Sequence, residues 1–192
     1  ETCPHYLQFS CDDLEKIGGA LKTAPVVKSP ENRERLWELL IDGTIDFVAS
    51  DHAPAPASQK YTGCAWDDYS GIPGTGTLFP YLYSDGFVRR KIPMNRFLEI
   101  TSTNAARRYG LFDRKGSIER GKHADFVIVN PTKNFTVNGA DFLSKGKITP
   151  FEGMNFHGRI VKTIARGNTV YEINKGIAAE PGLGKYLEGK ND

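Results

Sequence analysis

Asp51 and His52 stand side by side where a short apolar run, Ile45-Asp46-Phe47-Val48-Ala49, passes into the proline-bearing turn Ser50-Asp51-His52-Ala53-Pro54. A carboxylate beside an imidazole can ligate a cation, exchange a proton near neutral pH, or cap the following turn through the Asp side chain. Taken alone the dipeptide leaves these open, and turn capping is the commoner use, since a metal site needs more than two ligands. His5 also follows a short extended segment, and a lone histidine there reads as a structural side chain. His123 and His157 lie among Gly, Lys and Arg and read as turn or solvated positions. Cys3, Cys11 and Cys64 show neither CxxC spacing nor a Cys-His-Asn order, so they read as small apolar side chains rather than nucleophiles or zinc ligands. Gly71-Ile72-Pro73-Gly74-Thr75-Gly76 has the glycines of a phosphate cradle without its Lys-Ser/Thr pair, which suits a backbone-lined substrate wall better than a nucleotide site.

These residues need a frame. Ser29-Pro30-Glu31 combines a capping hydroxyl, a proline for the first helical position and an acid for the first turn, so a helix starts there, with Leu36, Leu39 and Leu40 on its apolar face and Gly43 as its left-handed stop. The run 45–49 is then a short buried strand, and Asp51 lies just past its C-terminal end, where parallel α/β folds carry their chemistry. Residues 54–74 predict a long site-covering loop with Trp66 and Tyr69 as lining. Thr77 to Ser84 predicts a helix closed by Gly86. Pro93 starts another whose Phe97, Leu98 and Ile100 face inward, before Thr103 and Asn104 cap a last one ending at Gly110. Beyond Gly116 the pattern changes: Ala124 to Val129 is a strand, and Ile160–Arg166 and Thr169–Ile173 flank Gly167-Asn168 as a hairpin. The expected division is 1–115 α/β, 116–175 all β, and 176–192 a loosely held tail.

With 25 basic and 23 acidic residues interspersed over 192 positions, the net charge of +2 predicts neither nucleic-acid nor membrane partners. No run approaches the roughly 18 apolar residues of a membrane helix. An odd number of unpaired cysteines suits a reducing, cytoplasmic setting. The chain opens on Glu1 without a methionine, at the end of an apparent strand, which predicts a fragment of a longer polypeptide.

Read in order, several blocks resemble those of the cyclic amidohydrolases, the group that holds type I dihydroorotases, allantoinases and hydantoinases. They are Glu1-Thr2-Cys3-Pro4-His5-Tyr6-Leu7, Lys22-Thr23-Ala24-Pro25, Ser50-Asp51-His52-Ala53-Pro54, Gly71-Ile72-Pro73-Gly74, Thr101-Ser102-Thr103-Asn104-Ala105-Ala106, Gly121-Lys122-His123-Ala124-Asp125 and Thr149-Pro150-Phe151. The resemblance implies the C-terminal portion of a TIM-like (β/α)8 metal-dependent hydrolase barrel plus part of a small β-sandwich. It implies hydrolysis of a cyclic amide or ureide by a hydroxide held between two divalent metals, usually zinc. Asp51 then matches the family's metal ligand and proton shuttle, and His52 and the backbone at Ala24 and Gly74 match substrate-facing positions. The family's other ligands precede the first block, so this chain supplies a single ligand and is expected to be inactive alone, needing the missing N-terminal portion; homo-oligomers are the family habit. Ala55 stands where dihydroorotases usually carry a second histidine, which favours allantoinase or hydantoinase chemistry. The competing expectation is a non-catalytic, dihydropyrimidinase-like scaffold protein, against which Asp51 and His52 argue.

Overall fold

Proline decides where the first helix begins. Pro4 has no backbone N–H to lose and a φ suited to a first helical turn, so the opening residues give way at once to α1 (Pro4–Gln8). Before it only Thr2 pairs, in a parallel bridge to Val48: Thr2 N donates to Phe47 O (3.2 Å) and Ala49 N to Thr2 O (2.9 Å). The strand expected over 45–49 is therefore a buried extended segment with a single bridge, because its neighbour turns helical after three residues. The computed structural model describes residues 1–190.

Ser10 and Asp13 form a reciprocal capping box that starts α2 (Cys11–Ile17), Ser10 N donating to Asp13 Oδ2 at 2.8 Å. As the sequence predicts, Ser29 caps α3 (Pro30–Asp42), accepting from Asn32 N at 3.3 Å, and Gly43 ends it with φ 95°. The buried residues of α3 are Trp37 and Leu40, with Leu36 and Leu39 only half-buried. Trp37 leads that face because its indole N–H also finds a partner, Leu7 O at 2.8 Å, which ties α3 to α1. The loop over 54–74 contains one short helix, α4 (Ala57–Lys60). Trp66 is 91% exposed and Tyr69 43% exposed on this loop.

Helix α5 (Leu78–Tyr81) continues as wide π-helical turns through Arg89 and runs past Gly86, the predicted stop. Gly86 is buried in mid-helix, where a Cβ would lie 3.3 Å from Ile92 Cδ1 and 3.6 Å from the Trp37 ring, so its smallness serves packing rather than termination. Helix α6 (Met94–Leu98) likewise runs without a break into α7 (Asn104–Arg108). Phe97 and Ile100 are buried as expected, but Leu98 is half exposed. Thr103 and Asn104 do not cap; Thr103 Oγ1 donates to Gly116 O (2.6 Å) and Asn104 Nδ2 to Asp46 O (3.0 Å), joining the helix to the segments on either side.

Beyond Gly116, β1 (Phe126–Asn130), β4 (Arg159–Ala165), β5 (Asn168–Glu172) and β6 (Gly176–Ile177) form an antiparallel sheet in the order β1-β4-β5-β6, while β2 (Phe135–Thr136) pairs with β3 (Asn155–Phe156). The β4–β5 turn falls on Arg166-Gly167, one residue before the predicted Gly167-Asn168, with φ 47° and 80° and Ala165 opposite Asn168. A two-residue primed turn needs positive φ at both positions, and Asp125 Oδ1 fixes Arg166 there by accepting from its N–H at 2.7 Å. Phe151 and Phe156 leave this β portion to pack on Phe9 and Tyr81, ring centroids 4.8 and 5.9 Å apart, so helices and strands share one core. After β6 the chain returns to the helical side, Lys190 N donating to Gly110 O at 2.9 Å; Asn191 and Asp192 of the predicted tail lie outside the described residues.

Candidate active site at the Asp51 turn

Backbone geometry singles out Asp51 before its chemistry does. Its φ is 44°, in the left-handed region that Asp tolerates better than most non-glycine residues yet still unfavourable. The segment 71–75 holds it there. His52 bridges Ile72 in parallel, and Ala53 N donates to Ile72 O at 2.9 Å. Gly74 lies so close to Ser50 that a Cβ would fall 1.9 Å from Ser50 O, and one on Gly71 would fall 2.6 Å from Ala53 O. Only glycines let the two segments touch. Thr75 N donates to His52 Nδ1 at 3.2 Å, which ties the ring to this segment.

The Asp51 carboxylate is 57% exposed, yet it leans over a buried pair, Cys3 and His5. His5 Nε2 lies 3.9 Å from Asp51 Oδ2, beyond hydrogen-bond distance, and neither ring nitrogen of His5 has a partner. Burial lowers the His5 pKa to about 4, Asp51 offsetting part of the effect, so the ring is neutral at pH 7. Burial, then the Asp51 and Glu1 carboxylates, push the Cys3 thiol up to about 12. The ligand atoms of Cys3, His5 and Asp51 all lie within 4.8 Å of one another, the one such group of three among the described residues. An exposed carboxylate with no Lys or Arg against it, beside an unpartnered neutral imidazole, is a donor set that fits a divalent cation. Sequence reasoning set His5 and Cys3 aside as structural side chains; the signal was that they flank the helix-starting Pro4, right after Thr2, the residue that bridges to Val48.

Ala24 joins this neighbourhood through Tyr6. The Tyr6 ring packs on His5, centroids 4.2 Å apart, and its hydroxyl donates to Pro25 O at 2.8 Å, leaving Ala24 exposed at the rim. Below the rim, Lys60 is 1% exposed and donates to Lys22 O (3.2 Å), Tyr69 O (3.0 Å) and Gly71 O (2.8 Å). It thereby fastens the segment before Ala24 to the segment before Gly74. Burial lowers its pKa to about 8, partly offset by Asp68. His52, Gly74 and Asp51 thus come together, with Ala24 linked to them through Tyr6 and His5. His123 and His157 lie elsewhere, their backbone N–H groups donating to Arg114 O (2.9 Å) and Ser84 Oγ (2.9 Å).

Residues 10–170 match the model of the amidohydrolase family. The chain belongs to that family. As an amidohydrolase it is 40% identical, over 182 residues, to the allantoinase of Rubrobacter xylanophilus, an alignment covering 95% of this chain and 40% of that protein. It superposes on the dihydropyrimidinase of Brevibacillus agri NCHU1002 with a TM-score of 0.91 at 32% identity, covering 97% of this chain and 42% of the other. For the L-hydantoinase of Arthrobacter aurescens the TM-score is 0.87 at 34% identity, covering 92% and 40%. The chain therefore spans about two fifths of these proteins, and its fold is a portion of the metal-dependent amidohydrolase barrel with α/β content. Among the described residues no helix is long and apolar enough to cross a membrane.

Proposed function

We propose that the complete protein carrying this chain is a metal-dependent hydrolase that opens a cyclic amide or ureide, allantoin-type rings ahead of dihydroorotate, with Asp51 as metal ligand and proton shuttle. The observation that carries the reading is Asp51: an exposed carboxylate, held in left-handed backbone beside an unpartnered imidazole, in a chain 40% identical to an allantoinase. Ala55, where a second histidine is usual in dihydroorotases, supports the ureide preference. Residues 1–115 belong to the barrel and 116–175 to the β-sandwich, and the remaining ligands come from the rest of the polypeptide. Three free cysteines support a reducing, cytoplasmic setting, and the protein works as a homo-oligomer.

A bound divalent cation, zinc in this reading, supplies the Lewis acidity that lets water attack an unactivated amide at neutral pH. Asp51 does the proton work. Its carboxylate would help hold the cation, and it would take a proton from the attacking water and deliver it to the ring nitrogen as the C–N bond breaks, so that water and ring amide become a carboxylic acid and an N–H. His52, exposed beside Asp51, offers its ring to a hydrogen bond with the substrate, and the backbone at Ala24 and Gly74 walls the substrate in.

Metal analysis of the complete protein, with allantoin, hydantoin and dihydroorotate as substrates, tests the reading. Bound metal and turnover of a ureide are expected, both sharply reduced by Asp51→Asn. A folded, metal-free protein inert toward every ring would overturn it in favour of the scaffold role.

A further inference from the structure

His5 poses a problem that the reaction as described does not solve. Its side chain is 1% exposed, packed against the Tyr6 ring, and both nitrogens lack a partner, although buried polar groups are nearly always hydrogen-bonded. A phenyl or isobutyl group would fill the same space without stranding a donor and an acceptor, so packing does not account for an imidazole there. The polar group within reach is the Asp51 carboxylate, Oδ2 3.9 Å from Nε2, about one ångström beyond a hydrogen bond. Asp51 is largely free to close that gap, since its side chain is more than half exposed and has no Lys or Arg partner.

We propose that His5 is a positioning residue for Asp51: on metal loading, the His5 ring donates its Nε2–H to the Asp51 carboxylate and fixes the rotamer in which that carboxylate holds the cation and moves the proton. This rests on the reading of Asp51 as metal ligand. A buried imidazole suits the task, because a lysine or arginine would bring a permanent positive charge to the cation's side and pull Asp51 into an ion pair. Ligating carboxylates are commonly oriented by such outer partners, whose loss weakens metal binding or activity by about 10- to 100-fold. Cys3, the third member of the cluster, remains a neutral thiol packed beside the pair.

The test uses the complete protein with His5→Phe, His5→Gln and, as reference, Asp51→Asn. Metal affinity is read by chelator competition, and kcat and KM are read separately on the best ring substrate. His5→Phe is expected to weaken metal binding about 10- to 100-fold and to lower kcat with KM nearly unchanged. Its melting temperature in the metal-free state should stay level or rise, as a stranded polar group is removed. His5→Gln, which keeps an N–H donor, should recover most of both losses. Unaltered metal affinity and kcat in His5→Phe would overturn the proposal, as would a glutamine variant no better than phenylalanine, or a metal-free melting temperature that falls while affinity holds. With Cd2+ as probe, a thiolate-to-metal absorption that His5→Phe abolishes would also overturn it, by making Cys3 and His5 direct ligands. If Asp51→Asn itself leaves metal and turnover intact, the failure lies in the functional reading; if that variant is crippled and His5→Phe is not, the failure lies with His5.

Discussion

His5 and Lys60 are equally deep in the fold, each 1% exposed, and burial lowers the pKa of both, to about 4 and about 8. Around Lys60 the chain supplies three main-chain acceptors, one for each ammonium proton, and it draws them from two separate segments. Around His5 it supplies none. A buried polar group completed from within is a joint, since its hydrogen bonds hold segments together and leave nothing free to bind. One left incomplete beside an exposed carboxylate is poised for an arrangement formed on loading. The two are coupled, because the loop that Lys60 ties down at Gly71 also packs on the Asp51 turn.

Asp51→Asn breaks the incomplete side most severely. The amide carries no charge for a cation and cannot accept the proton, so ring hydrolysis is expected to fall roughly 100- to 10,000-fold. The thermal melt of the metal-free protein should barely move, because the carboxylate is exposed and Asn tolerates the positive φ. A variant with at least a tenth of normal turnover would remove Asp51 from the chemistry.

Gly74→Ala attacks the contact between the two sides. Its Cβ would sit 1.9 Å from Ser50 O, backbone against backbone, so the loops must part. Overpacking of this kind costs about 1–3 kcal/mol, read as a lower urea midpoint. Turnover should fall with it because the displaced residue adjoins Asp51. A stability loss with unchanged kcat would show that the loop positions the turn less tightly than the contact suggests.

What the sequence made legible follows the reach of each signal. The start and stop of α3 were readable because Ser29, Pro30 and Gly43 act on their own backbone, and the apolar runs of β1, β4 and β5, the last two set about a glycine turn, are equally local. Gly86 misled because a glycine that ends a helix and one that lets a helix pass a tryptophan look alike until the tryptophan is placed. Asp51 was visible as a strand-end acid, and the ordered motifs carried the family. His5 and Lys60 were not visible, since whether a buried polar atom finds a partner depends on segments distant in sequence: Lys22 is 38 residues from Lys60, and Asp51 lies in a turn far along the chain from the α1 helix that carries His5.

Lys60→Met breaks the completed side. Lys22 O keeps a donor in Gly71 N (3.0 Å), but Tyr69 O and Gly71 O lose theirs, at about 1–3 kcal/mol for each carbonyl left buried and unpaired. The pH dependence of that loss has a defined sign. With a folded pKa of about 8 against the usual 10.5, both states are protonated below pH 8; between pH 8 and 10.5 the unfolded chain binds more protons, so this group's contribution to stability rises. The stability gap between the parent protein and Lys60→Met should therefore widen from pH 7 to pH 10, by denaturant titration at each pH. A flat gap would mean that the three carbonyl dipoles restore the ammonium to its ordinary pKa, and a narrowing one that they outweigh burial.

His52→Ala tests where the joint ends and the site begins, and its effect should be the smallest. The ring accepts from Thr75 N through Nδ1, which attaches it to the 71–75 loop, while the residue as a whole is exposed. Losing one neutral hydrogen bond to substrate should raise KM roughly two- to tenfold with kcat nearly constant. The loop itself should hold, because Ala53 N still donates to Ile72 O and the Gly74–Ser50 contact remains. A fall in kcat matching that of a His5 variant would place His52 with Asp51 among the groups that shape the reacting carboxylate. A change confined to KM would leave it as the inner edge of the substrate wall, and that asymmetry is what separates two histidines that the sequence sets on either side of one aspartate.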